Sequence, residues 1–157
     1  MKHKQKATYS MMDELMASPS TPMPIEWRRH QLTRMYQGLD SIERGENPNN
    51  DDWRCLSDAV NMTETLIEMG ICQDESNLIY DAIEALAMAG KRKLAGQTMR
   101  LDGKGIQAVR ALLSDYADMI EVLSARTMIQ CHRKTEKRIR EILAGRRKAH
   151  DVEVVDL

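Results

Sequence analysis

GIQAVRALLSDYADMIEVLSARTMIQCHRKTEKRIREILAG, residues 105–145, carries the pattern on which the fold turns. Ile106, Val109, Leu113, Tyr116, Ile120 and Leu123 recur three and four residues apart, the spacing of an apolar heptad seam. Continued in register, the seam would fall on Thr127, Gln130, Lys134 and Lys137, yet the apolar line resumes at Met128, Cys131, Thr135, Ile139 and Ile142. That shift is a four-residue insertion, so the helix either changes its contacts near Ser124 or breaks there. The seam is expected to face the core of its own chain, with a homodimer interface as the alternative.

Working outward, the chain reads as helical throughout. It has no Phe, two Trp and twelve Met, and its apolar content of 42% is drawn largely from helix-favouring residues. Ile25, Leu32, Met35, Leu39 and Ile42 mark a helix that Gly45 can end. Beyond the turn-rich ENPNN, Asn49 or Asn50 can cap a second helix with two apolar lines: Trp53, Leu56, Val60 and Ile67, and Ala59, Met62, Leu66 and Met69. A third runs from about residue 75 to 95 through Leu78, Ile79, Ile83, Leu86 and Leu94. GQTMRLDGKG, residues 96–105, holds three glycines and cannot be helix interior; Asp102-Gly103 marks a turn before the next helix.

The expected fold is an all-α antiparallel bundle of about four main helices, the C-terminal one long or broken near Ser124. Residues 1–24 form a flexible N-terminal arm with the proline-rich linker SPSTPMP, 25–150 the helical bundle, and 151–157 a C-terminal tail in which Val152 and Val154 alternate with Glu153 and Val155. Within the arm, SMMDELMA offers a short turn that sets Met11, Met12, Leu15 and Met16 to one side.

The net charge of −1 conceals a basic segment: Arg126 to Lys148 holds nine Lys/Arg against Glu136 and Glu141, a local +7. On a helix, Arg126, Arg133, Lys137 and Arg140 fall in a stripe roughly 60° wide, opposite the apolar line. Lys2, Lys4 and Lys6 would add a second basic arm, while Glu136 and Glu141 can pair with Arg140 and Lys137. Arg146, Arg147 and Lys148 follow Gly145, where cations interact favourably with a helix C-terminus.

Other chemistry finds little support. Cys55, Cys72 and Cys131 are an odd, scattered set, consistent with reduced thiols in the cytoplasm; neither a signal peptide nor a membrane-length apolar run is present in the sequence. Cys131 and His132 point about 100° apart on a helix and share no ligand face, and Cys131 reads as a core residue. RLDGKG lacks the Walker spacing, and Asp51-Asp52 fit a helix start. A helix-turn-helix across LIEMGICQDESNLIYDAI fails because its second helix would bring Asp74, Glu75, Asp81 and Glu84 towards phosphates. No catalytic residues, metal or cofactor are expected.

DDWRCLSDAVNMTETLIEMG, MRLDGKGIQAVRALLSDY and ARTMIQCHRKTEKRIREILAGRRKAHDVEVV resemble small helical proteins of proteobacterial genomes and prophages, some of them labelled Fis-type regulators. The resemblance covers about residues 25–157 and brings no motif whose roles transfer. The basic end departs from a Fis-type pattern, since it lacks a glycine-centred turn followed by a recognition helix. It implies a mobile-element setting, in which small regulators and inhibitors are common. The expected function is non-enzymatic regulation or inhibition of a macromolecular partner, a protein or protein–nucleic-acid complex. Its contact residues would be Arg126, Arg133, Lys137, Arg140, Arg146, Arg147 and Lys148; direct binding of DNA or RNA by the same residues is the alternative.

Overall fold

The computed structural model describes residues 6–45, 47–74, 76–150, 152 and 154–157. The expected roles of Lys2 and Lys4 in a basic arm, of Glu75 at a helix start, and of Asp151 and Glu153 in the tail lie outside the described residues. Six helices and no strand occur among those described: α1 (Met11–Met16), α2 (Ile25–Arg44), α3 (Asn50–Glu68), α4 (Leu78–Leu94), α5 (Gly103–Val122) and α6 (Ala125–Leu143). None is long and apolar enough to cross a membrane.

Helix α3 is central and touches α2, α4, α5 and α6. Its two apolar lines explain this position, since Leu56, Ala59, Val60, Met62 and Leu66 are all buried. Its start is fixed locally: Asn49 Oδ1 accepts from the Asp52 N–H and Asp52 Oδ2 accepts from the Asn49 N–H, both at 2.9 Å, a capping box. Gly38 lets α2 approach closely, because a Cβ there would stand 2.9 Å from the Asp52 carbonyl oxygen. Gly105 does the same between α4 and α5, where a Cβ would meet that of Ala85 at 2.5 Å. Asp102 caps α5 by accepting from the Gly105 N–H at 2.6 Å, so the glycine-rich turn is a helix start. The carboxylate of Asp74, placed against phosphates in the rejected DNA-binding reading, serves α4 by accepting from the Leu78 and Ile79 N–H groups.

The seam residues Val109, Leu113, Tyr116 and Ile120 are buried inside the chain, so a dimer built on them would have to unpack α5. The expected long C-terminal helix is two helices. Leu123 is extended, and Ser124 caps α6 by accepting from the Thr127 N–H at 3.2 Å. A new helix start brings new backbone N–H groups that need acceptors. The arm supplies two of them: Ala125 N–H donates to Thr21 O at 2.8 Å and Arg126 N–H to Ser18 O at 3.0 Å. The segment expected to be a flexible arm thus lies along α6 and completes its N-terminal cap, with α1 packed on the same helix. At the other end, the tail crosses α4 where Gly90 leaves room for Val155, and the Arg54 guanidinium donates to the Leu157 carbonyl.

The buried line of α6 departs from the expected one after Thr135. Met128, Cys131 and Thr135 are buried, but Ile139 and Ile142 are only half-buried, and Arg138, 4% exposed, takes the next inward place. It pairs there with Glu64 of α3, itself 7% exposed. Arg138 also donates to Asn61 O at 2.7 Å and to Thr65 Oγ1 at 3.1 Å, and Thr65 and Thr135 hydroxyls share a hydrogen bond of 2.6 Å. The His150 ring adds a further contact to Glu64. Removing one partner of such a pair leaves an uncompensated buried charge, whereas replacing both by apolar groups does not. Arg138→Ala should therefore cost about 3–5 kcal/mol in urea denaturation. The double variant Arg138→Met, Glu64→Leu should lose less than either single change; equal or additive losses would contradict the pairing.

Candidate functional site

The structure divides the basic stripe. Arg126 and Arg133 are half-buried under the arm: Arg126 Nη2 donates to Leu15 O at 2.9 Å, and Arg133 Nη1 lies 3.2 Å from Glu14 Oε2 and 3.3 Å from Met11 Sδ. These two arginines hold the chain's own N-terminal segment. Lys137, Arg140, Arg146, Arg147 and Lys148 are exposed. Lys137, Arg140 and Arg146 line one open depression together with Glu141. Arg147 turns away from it to Glu68 at 2.7 Å, tying the segment after α6 back to α3.

The expected pairing of Glu136 with Arg140 takes a different form. The Glu136 carboxylate accepts from the Thr8 N–H at 3.2 and 3.3 Å and faces His132 Nδ1 at 3.4 Å, while Arg140 Nε donates to the Glu136 carbonyl at 3.3 Å. An acceptor was needed at the arm, and Glu136 faces it. Beside this contact α1 presents Met11, Met12, Leu15 and Met16, which are 54–79% exposed. Their helix is short and capped at Ser10 through Asp13.

Between the arm, α2, α3 and α6 lies a cleft of about 480 Å³. Tyr9 of the arm, Trp27 of α2, Tyr116 of α5 and His132 of α6 give it aromatic walls, and Asp58 of α3 and Gln31 of α2 give it polar ones. Tyr9 and His132 meet edge to face with centroids 5.2 Å apart. A smaller cleft of about 180 Å³, lined by Arg34, Arg54 and Cys55 among others, shares Asp58, Gln31 and Tyr116 with the first. Asp58 therefore stands at the junction, exposed to solvent, with the walls of both clefts beside its carboxyl.

That setting governs its titration. Desolvation by the surrounding protein pushes the Asp58 carboxyl up to about 6, against the opposing pull of Arg34 and Arg54. Burial lowers the His132 imidazole, partly offset by Glu136, and raises the Tyr9 phenol, partly offset by a hydrogen bond that its oxygen accepts from Trp27. The Cys131 thiol is pushed up to about 12 by burial and contacts Met62 O at 3.5 Å, as befits the core residue read from the sequence. Burial likewise raises Cys55 and Cys72, which keeps both as thiols rather than nucleophilic thiolates near neutral pH. Among the described residues no group of three or more His, Cys, Asp or Glu is placed to hold a metal ion.

The sequence reading missed this cleft because its walls come from separate elements with no motif in any of them. One local signal existed: Asp58 precedes Met62 by one helical turn, placing a carboxyl in line with an apolar face.

A carboxyl whose folded-state pKa lies above the ordinary 3.8 favours the folded state fully below that value and loses the contribution as pH rises through about 6. Asp58→Asn should therefore raise the Tm above pH 7, with the gain shrinking towards pH 4. A difference that does not change with pH, measured by thermal denaturation across that range, would contradict the assignment. No family model matches the chain, and no curated protein or solved structure matches it either.

Proposed function

We propose that this chain is a non-enzymatic regulatory or inhibitory protein that binds a macromolecular partner through the face shared by α1 and α6. The observation that carries the reading is the meeting of two unlike surfaces. Met11, exposed with Met12, Leu15 and Met16, touches Arg133, and Lys137 follows one helical turn along α6. Methionine side chains adapt to irregular apolar partners, and a basic border selects carboxylates around them. A partner segment with apolar residues flanked by Asp or Glu fits this face. The mobile-element setting implied by the resemblance suits the same role.

The helical frame for this face is inferred to be a bundle whose sequence neighbours run antiparallel, on the strength of the short connection between α2 and α3. The alternative function, DNA or RNA binding by the basic end of α6, draws support from the depression formed by Lys137, Arg140 and Arg146. Weighing against it, Glu14 occupies Arg133 and Glu141 lies within the depression, which reduces the number of phosphates the stripe can meet.

Affinity isolation from the native host, run in parallel on variants, separates the two. The captured protein should be lost both with Lys137→Glu, Arg140→Glu and with Met12→Ser, Met16→Ser. Retention by either double variant would contradict a shared face. Nucleic acid retained with a salt slope of about three phosphates would favour the alternative.

A further inference from the structure

The chain has only six Trp and Tyr residues and no Phe, yet Tyr9, Trp27 and Tyr116 gather at one cleft of about 480 Å³. Drawn from the arm, α2 and α5, they are not neighbours by sequence, and this volume lies in the range of small-molecule sites. The ends of the cleft differ. Asp58 and Gln31 line both this cleft and the smaller one. Lys6 and Arg140 also line it.

The register of α3 against α6 sets these groups apart. Cys131 meets Met62 and Thr135 meets Thr65, while the long Arg138 side chain reaches back to Asn61 and Glu64. Asp58 lies one turn before Met62, and Arg140 nine residues beyond Cys131. At a rise of about 1.5 Å per residue, this sets Asp58 and Arg140 towards opposite ends of the shared contact. Such a cleft suits an elongated ligand with a flat middle, a hydrogen-bonding edge at one end and a negative charge at the other.

We propose that the cleft binds a guanine nucleotide, with the base against Tyr9 and Trp27, its edge on Asp58 and Gln31, and its phosphate towards Arg140 and Lys6. The carboxylate accepts from the adjacent ring N–H and exocyclic amino group of guanine, and the Gln31 amide donates to the neighbouring carbonyl oxygen. Adenine lacks that donor pair and cytosine lacks the area for stacking. Glu136 lines the cleft but is held by the Thr8 N–H, which leaves Asp58 as the acceptor for the base. Because Lys6, Thr8 and Tyr9 form one wall, occupation of the cleft would hold the arm in place on α6.

The test is titration of the full chain with GMP, AMP, CMP, guanosine and inorganic phosphate, followed by calorimetry and by tryptophan fluorescence, to which Trp27 contributes. GMP should bind saturably and quench the fluorescence, with AMP weaker by about tenfold or more, the loss of one bidentate pair. Inorganic phosphate should not quench. Asp58→Asn should weaken GMP by a similar factor while leaving AMP unchanged, and Arg140→Ala should weaken GMP but not guanosine. Circular dichroism confirms that each variant is folded, and Asp58→Asn should not be less stable than the parent chain at neutral pH. The proposal is overturned by the absence of saturable binding at millimolar nucleotide, by equal affinity for GMP and inorganic phosphate, or by folded Asp58→Asn and Arg140→Ala variants that bind GMP as the parent does.

Discussion

The ion pair between Arg138 and Glu64 is the contact on which the placement of α6 depends. Both groups are buried, and a charge left alone in that position would be costly, so the pair ties α6 to α3 in one register. Thr65, Thr135 and the Asn61 carbonyl surround it with hydrogen bonds, and Cys131 packs on Met62 one turn away. Met128 and Cys131 supply the apolar part of the contact, and the pair with its fixed acceptors adds a directional one. Every candidate surface on this protein inherits its geometry from that arrangement.

From that register follows the division of the basic face. With Arg138 inward, Arg133 and Arg126 are turned to the side where the arm runs, and Lys137 and Arg140 remain outside. The arm is held by Glu14 on Arg133, the Thr8 N–H on Glu136, the Leu15 carbonyl on Arg126 and Tyr9 on His132, together with backbone bonds to Ala125 and Arg126. These last two satisfy N–H groups that exist only because the helix restarts at Ser124. The break in the heptad pattern and the docking of the arm are thus one structural event.

Much of the framework could be read in advance. Val109, Leu113, Tyr116 and Ile120 are core as their spacing implies, Asn49 of the two candidates caps α3, Asp102-Gly103 is the turn that opens α5, and the pattern shift at Ser124 marks a real break. These features rest on local periodicity and capping chemistry, which a sequence displays. The exchange of Arg138 for Ile139 on the buried side was not legible, because whether a charge is buried depends on Glu64, far away in sequence. The division of the stripe escaped for the same reason: helical spacing places four cations on one face but does not say that Glu14 and the Leu15 carbonyl will occupy two of them. Asp58, Tyr9 and Trp27 each look ordinary where they stand in the chain, and only the packing of α2, α3 and the arm makes them neighbours.

Native-state hydrogen exchange on the full chain tests the central claim, that α6 is fixed on α3 and in turn fixes the arm. The account predicts that amides of α6 between Met128 and Arg138 exchange only through global unfolding, with the Ala125 and Arg126 amides protected above those of an exposed helix start. Exchange of α6 at rates set by local opening, while α3 and α5 remain protected, would contradict it.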